Sequence, residues 1–403
     1  MIIVGGTYTE ICFEPIWDNI YGSGFRAVNL ILQNDNNIKI DFFTSADSEV
    51  SDYLNYHRNL YPRLSIHTID IFKSPEFHYD HPLKIPTISP RPDLFNSIQN
   101  CIKTEGDNIL AYGMIESAIQ IQGKKVVYDP QSPVNPIPFS KTGSIADELV
   151  IIVNLSEAKI LSSKNDIEDI KDFFFNEEKC YALIIKMGAK GAFLYESKEK
   201  EPTRIPVYET NNVWPIGSGD VFSAYFALSW FNNEDLSSSA IAASKSTAIY
   251  CNSKDLLITE KINTFSFEEL FIDKIPTGQI YLAGPFFTFT QRWLVNEIWK
   301  ILKDFGLKVF SPFHDVGHGH AKDVVDKDLV GLDNSEVVFA IVDGLDSGTL
   351  FEVGYAICQK KKVIVFVQNE DEESLKMLEG TDCIIEKDLT TAIYKLYWTL
   401  AKQ

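Results

Sequence analysis

Paired cysteines, long apolar runs and positive charge are what this 403-residue sequence lacks. Its six cysteines (Cys12, Cys101, Cys180, Cys251, Cys358, Cys383) are scattered, with no Cys-x-x-Cys spacing. That argues against a disulfide framework or a zinc site and fits a reducing cytoplasm. No apolar stretch reaches the roughly 20 residues needed to span a bilayer. The Met1-Ile2-Ile3-Val4 start has no basic segment, apolar segment and cleavage site, so it is expected to be a first strand and not a signal peptide. The net charge of −19 makes nucleic acid and anionic membrane unexpected as partners. Small anionic substrates stay open, because a local site can be positive on an acidic protein. A Gly-x-x-x-x-Gly-Lys-Ser/Thr loop is also missing, which excludes a P-loop kinase by that motif.

What is present is an ordinary globular composition, 45% hydrophobic and 23% charged, so long disordered tracts are not expected. The length favours two or three domains. Short β-branched runs alternate with helical stretches, the pattern of parallel α/β architecture. Strands are expected at 1–5, 38–43, 109–112, 125–128, 149–154 and 181–186. Those at 191–195 and 204–208 lie too close together for a helical crossover and predict antiparallel edge elements. Helices follow at 219–230 and 236–250. The polar stretch 253–278 breaks the rhythm and predicts a linker between a domain at 1–252 and one at 279–403. The second domain restarts with strands at 279–283, 307–310, 337–343, 363–367 and 383–386 and helices near 291–305, 322–332, 348–359 and 390–403. That is a five-strand doubly wound pattern, with ligands expected at the carboxyl ends of its strands.

Two segments carry chemistry. In Trp214-Pro215-Ile216-Gly217-Ser218-Gly219-Asp220 the glycines permit a tight turn and close backbone approach, and a helix follows at once. Successive amides there form an anion pocket at a helix N-terminus. Asp220 is placed to take a proton from a hydroxyl while those amides stabilise a transferring phosphoryl group. A glycine-rich helix start capped by Ser218 accounts for this short motif equally well. In Asp343-Gly344-Leu345-Asp346-Ser347-Gly348-Thr349-Leu350-Phe351-Glu352 the glycines at 344 and 348 let a ligand approach the backbone. Asp346 lies just before a helix and Glu352 about one turn into it. Two carboxylates near one ligand suit sugar C–N bond chemistry, one attacking the anomeric carbon and one handling the proton of the base. Acids attracted by a helix dipole are the plainer account.

Further matches add two resemblances. The first segment resembles the second signature of the ribokinase (PfkB) family. Asn154-Leu155-Ser156-Glu157 resembles that family's Asn-x-x-Glu, Lys186-Met187-Gly188-Ala189-Lys190-Gly191 its Thr-x-Gly-x-x-Gly, and Asp129-Pro130-Gln131 its Asp-Pro-Asn, over residues 1–252. This implies a three-layer ribokinase-like α/β/α fold and ATP as phosphoryl donor. It also implies magnesium organised by Asn154 and Glu157, and nucleotide contacts from Gly188, Gly191, Gly217, Ser218 and Gly219; Lys186, where the family has a threonine, either joins them by binding phosphate or faces solvent. Glu10 stands where the family grips sugar hydroxyls. Arg26, in the loosely similar Gly22-Ser23-Gly24-Phe25-Arg26-Ala27, either forks onto a carboxylate or phosphate or makes a surface salt bridge. Trp214-Pro215 replaces the family's Asp-Thr.

Residues 279–400 resemble the nucleoside 2-deoxyribosyltransferase family, through Ile280-Tyr281-Leu282-Ala283-Gly284-Pro285-Phe286-Phe287, Lys327-Asp328-Leu329 and the Asp346-to-Glu352 spacing. The resemblance implies a flavodoxin- or Rossmann-like domain that needs no cofactor. Glu352 is then the nucleophile, Tyr281 orients it, Asp328 and Asp346 position and protonate the leaving base, and Gly284 and Gly348 line the ligand. Ser374 replaces an expected asparagine and either holds a phosphate or decorates a surface helix. The family often completes its site across subunits, which implies a homo-oligomer. The apolar residues of the last helix (Ile393, Tyr394, Leu396, Tyr397, Trp398) serve either that interface or the chain's own core. His314, His318 and His320 form a loop cluster that fits a substrate-covering loop better than a metal site.

The sequence therefore predicts a cytoplasmic enzyme of nucleoside and nucleotide metabolism, acting on small-molecule nucleosides, nucleotides or sugars. One domain transfers phosphate from ATP with magnesium, and the other cleaves an N-glycosidic bond through a glycosyl-glutamate. The alternative is a nucleotide N-glycosidase, acting on NMP- or NAD-like molecules, whose kinase-like domain only senses nucleotide.

Overall fold

A computed structural model describes residues 1–95, 100–132, 135–317 and 319–402. They divide into two compact units, Met1–Thr210 with Trp214–Phe271, and Ile272–Gln403 with Asn211–Val213.

The first unit is built on a nine-stranded sheet. Its order is Thr203–Ile205, Ala192–Tyr195, Ala182–Lys186, Ile145–Asn154, Ala118–Asp129, Cys101–Tyr112, Ile2–Val4, Ile40–Ala46 and Leu64–Asp70. Seven strands run parallel, and the pair at 192–195 and 203–205 turns back antiparallel at one edge, as the short spacing requires. Successive strand residues alternate between two cores. Ile3, Leu110, Ile152 and Ile184 face one, and Val4, Ala111, Ile151 and Ile185 face the other. Both faces are therefore covered. Helices Gly22–Asn34, Ser218–Phe231 and Leu236–Ser253 supply residues to the first core, and Leu155–Ser162 and Ile167–Asp172 supply the second. This is the three-layer arrangement expected. Helix Ser218–Phe231 buries residues on every side, consistent with its lack of a polar face.

Three features depart from the pattern in the sequence. The expected strand at 204–208 is two: Thr203–Ile205 stays in the large sheet, whereas Val207–Glu209 pairs with Glu268–Leu270. Pro206 divides them, since it has no N–H to continue a ladder. Helix Ser48–Leu60 and strand Leu64–Asp70 carry no strong apolar period; Asp47 caps that helix through Val50 N at 2.9 Å. A separate four-stranded sheet, ordered Trp17–Ile20, Thr9–Cys12, Glu76–Tyr79 and Thr87–Ser89, is made of strands too short and polar to stand out. It carries Glu10.

The second unit is a five-stranded, wholly parallel sheet ordered Lys308–Phe310, Gln279–Ala283, Val337–Ile341, Lys362–Phe366 and Ile384–Glu386. Its strand order in sequence is second, first, third, fourth, fifth, which opens a crevice between the ends of the first and third strands. Tyr281 lies on the first of these, and the segment 343–348 follows the third. In the closing helix Leu389–Ala401, Ile393, Leu396, Tyr397 and Trp398 are buried within the chain, and Tyr394 and Tyr397 pack edge-on against Phe305. These residues serve the chain's own packing.

Candidate functional site

In the first unit the glycine loop enters helix Ser218–Phe231 with Gly217 in the left-handed region (φ 77°). A cavity of about 580 Å³ opens over it, bringing together Glu10, Asn154, Glu157, Lys186, Gly188 and the run Gly217–Asp220. Gly191 is absent from that wall. Its left-handed backbone (φ 88°) instead passes close under Ile205 O, where a β-carbon would lie 2.2 Å away.

Beneath the cavity a buried polar chain links distant parts of the sequence. Arg26 Nη1 donates to Glu10 Oε1 and to Asp220 Oδ2, both at 2.9 Å, and Arg26 Nη2 donates to Glu10 Oε2. Gln131 Nε2 donates to Asp220 Oδ1, and at 3.4 Å to Asp129 Oδ2. Asp129 Oδ2 also accepts from Lys186 Nζ at 2.8 Å and Ser223 Oγ at 2.7 Å. Of the two accounts of Arg26, the structure has it fork onto a carboxylate, deep inside the fold. Burial raises the Asp220 carboxyl above its ordinary range and the Arg26 charge opposes that rise. Lys186 Nζ lies 3.2 Å from where a β-carbon on Gly219 would be, so its ammonium abuts the anion loop.

Asn154 and Glu157 cap helix Leu155–Ser162 reciprocally: Asn154 Oδ1 accepts from Glu157 N and Glu157 Oε2 accepts from Asn154 N, each at 2.8 Å. Burial first, and then the Asp129 charge, raise the Glu157 carboxyl to about 7. A carboxylate held up by a neighbouring carboxylate marks negative charge that a cation would relieve, and buried Asp129 Oδ1 has no partner. These hard oxygen donors fit magnesium. Among the described residues no group of three or more His, Cys, Asp or Glu is arranged to hold a metal ion.

Sequence patterns gave no sign of Tyr8, Phe77 or Tyr79 in this wall. They come from the small sheet and its approach, where no local signal exists. Gln131, which also lines it, closes the Asp129-Pro130-Gln131 segment singled out in the sequence, although no site role was expected of it. Tyr8 Oη donates at 2.7 Å to Glu116, which burial raises to about 7 and whose Oε1 has no partner. A folded-state pKa above the unfolded value favours the protonated form, so this stability is full below about pH 4 and is lost as pH rises through 7. At most about 3 kcal/mol is at stake. Glu116→Gln is therefore expected to gain stability relative to the parent as pH moves from 5 to 8. Urea midpoints at both pH values measure it, and an unchanged offset would show that Glu116 does not titrate there.

In the second unit Tyr281 Oη donates to Glu352 Oε1 at 2.6 Å. The tyrosine ring is fully buried and stacks on Phe310 at 5.6 Å. Burial lifts Glu352 to about 7; the Tyr281 bond opposes this, and Asp328 and Asp346 add to it. Glu352 thus feels the other three predicted side chains. Burial lifts Asp328 to about 6, and its Oδ1 has no partner. Asp346 is the helix cap, its Oδ2 accepting from Thr349 N at 2.8 Å and Thr349 Oγ1 at 2.9 Å. A β-carbon on Gly348 would lie 3.1 Å from that oxygen, and one on Gly284 would lie 3.1 Å from Ile341. Ser374 is on the exposed first turn of helix Glu372–Glu379, its N–H bonded to Asp371. His314 stacks on Trp299 at 4.6 Å and pairs through Nδ1 with Ser311 Oγ at 3.0 Å. His320 begins helix Ala321–Asp333, and His318 lies outside the described residues.

Fold and geometry set out two candidate sites, a glycine loop beside a carboxylate and a tyrosine-bound glutamate at a sheet switch point. Residues 111–261 match the pfkB family carbohydrate kinases, and residues 280–388 match the nucleoside 2-deoxyribosyltransferases. The chain thus joins a ribokinase-like unit to a deoxyribosyltransferase-like unit, in the order the motifs predict. Similar solved structures include a putative ribokinase II from E. coli in its apo form, with 13% identity and TM-score 0.47, covering 65% of this chain and 97% of that one. A Burkholderia thailandensis nucleoside kinase in complex with inosine has 14% identity and TM-score 0.46, covering 64% and 93%. A fructokinase from Vibrio cholerae O395 in fructose-, ADP- and calcium-bound form has 12% identity and TM-score 0.48, covering 66% and 98%. No curated protein matches the chain at a significant level. No helix among the described residues is long and apolar enough to cross a membrane.

Proposed function

We propose that the chain is a two-site enzyme of nucleoside and nucleotide metabolism. The observation that carries this is the buried Tyr281–Glu352 pair with Asp328 beside it. Glu352 attacks the anomeric carbon as the bond to the base breaks, Asp328 delivers a proton to the leaving base, and Tyr281 holds the attacking oxygen in line. Asp328 suits the proton role better than Asp346, whose Oδ2 is taken by the helix cap. Water or a second base then releases the sugar from Glu352.

In the first unit Asp220 takes the proton of a sugar or nucleoside hydroxyl as phosphate arrives from ATP. The loop amides and Lys186 hold the transferring group. Asn154 and Glu157 would hold magnesium, which when bound offsets phosphate charge. The notion that this unit only senses nucleotide has one observation in its favour: both oxygens of Asp220 are already hydrogen-bonded, to Arg26 and Gln131. Mass spectrometry of products from mixed nucleosides, nucleotides, NAD and magnesium ATP tests both readings. Free base without any phosphorylated product would favour the sensing unit, and neither product would sink the proposal.

Exposed Phe287, Phe289, Trp293 and Phe351, close in sequence to the Tyr281 strand and Glu352, support self-association of the second unit into a homo-oligomer. Six free cysteines suit a reducing cytoplasm.

Base release should follow a bell-shaped pH profile with limbs near 6 and 7. The working form has Glu352 ionised and Asp328 protonated; because burial lifts Glu352 to about 7 and Asp328 to about 6, it is the less populated of the two singly protonated forms, and activity falls when both hold protons and again when both have lost them. A rate that climbs steadily from pH 5 to 9 would exclude this division of roles.

A further inference from the structure

Arg26 is a large, fully buried and charged side chain of the first unit that the proposed chemistry does not use. Its exposure is 0%, against 6% for Glu10 and 7% for Asp220. It forms no part of the cavity wall, which Glu10 and Asp220 both line. The guanidinium lies behind those two carboxylates, so it neither fills the cavity nor meets a ligand directly. Its Nη1 is shared between them, which fixes Glu10 Oε1 and Asp220 Oδ2 on a common donor although the residues come from the small sheet and from helix Ser218–Phe231. The ring of Tyr21 lies 4.8 Å from its Cζ and that of Tyr250 lies 5.9 Å away, confining the guanidinium from the side. On the loop side it presses on Gly217, where a β-carbon would be 2.2 Å from Cζ.

We propose that Arg26 is the positioning residue of the first site, a guanidinium floor that sets Glu10 and Asp220 side by side as hydroxyl acceptors, the two carboxylates, one charge in excess of the guanidinium, favouring an uncharged polyol over an anionic acceptor. Two carboxylates this close would otherwise share a proton, and a protonated Asp220 cannot act as base. With one guanidinium between them the group keeps a net charge of −1. It therefore welcomes hydroxyl donors and repels a phosphate or carboxylate placed against it. The lone pairs left on Glu10 Oε2 and Asp220 can each take one hydroxyl hydrogen.

The inference rests on phosphoryl transfer in this unit, and the test separates the two. The full chain and its Arg26→Lys and Arg26→Met variants are given magnesium ATP with either adenosine, inosine or ribose, or their anionic counterparts AMP, IMP and ribose 5-phosphate. Transfer is followed from pH 5 to 9, and magnesium ADP binding and circular dichroism are recorded alongside. Arg26→Lys keeps the charge and removes the fork, so it reports on positioning even if Arg26→Met does not fold. The parent should phosphorylate at least one neutral acceptor in preference to its anionic counterpart. Arg26→Lys should lower kcat at least tenfold and move the acidic limb of the pH profile upward, with ADP affinity within threefold of the parent. An unmoved acidic limb in a folded variant overturns the role of Arg26, as does transfer that increases when Arg26 is lost. Preference for the anionic acceptors overturns the selectivity. A parent that binds ADP yet transfers to nothing overturns the phosphoryl-transfer reading itself, and the inference with it.

Discussion

Replacing Glu352 with alanine is expected to reduce release of free base by at least about 10³-fold, since Glu352 is the carboxylate that the Tyr281 hydroxyl holds. The substitution also leaves the Tyr281 hydroxyl buried without its acceptor, a cost of about 1–3 kcal/mol. Glu352→Gln, which retains an acceptor for that hydroxyl, separates lost chemistry from lost stability: its activity should fall as far while the fold holds. In the parent, a substrate carrying fluorine at the 2′ position slows the second step and traps the sugar on the enzyme. Intact mass then rises by the sugar or sugar-phosphate, and peptide mapping places it on the segment with Phe351, Glu352 and Val353. Base release near the parental rate in both variants would refute Glu352 as nucleophile.

Asp220→Asn should lower phosphoryl transfer about 10²-fold or more, the loss expected for a general base. Nucleotide affinity should stay within a few-fold of the parent, because the loop amides and Lys186 remain. The fold should survive as well. Arg26 keeps its two bonds to Glu10, so the buried cation is not orphaned, and an asparagine carbonyl can accept from Gln131 or Arg26. Transfer kinetics beside ADP titration measure both. Unimpaired transfer would remove Asp220 from the chemistry. An equal loss of ADP binding would make it a binding residue instead.

What could be foreseen from the sequence follows a physical division. The central strands of the two large sheets were legible because strands buried on both faces are continuous apolar runs, such as Val150 to Val153 and Val337 to Ile341. The small sheet holding Glu10 was not, because its strands are three or four residues long and partly exposed. Asp220 and Glu352 stood out through glycines and helix starts, which are local. Their environments did not. That Arg26 sits under Asp220 depends on residues 194 positions apart meeting in space, and no periodicity encodes that. Glu116 and Tyr8 are likewise 108 positions apart.

Gly217, at φ 77°, has a backbone conformation that favours glycine before any neighbour is considered. That same missing β-carbon is the space the Arg26 guanidinium occupies. An arginine could therefore enter position 26 without any permissive change at 217, since the turn had cleared the ground for it. The reverse path is closed: once Arg26 is seated, any side chain at 217 meets both a backbone and a steric barrier. A lineage that acquired this arginine would find it hard to exchange the glycine afterwards.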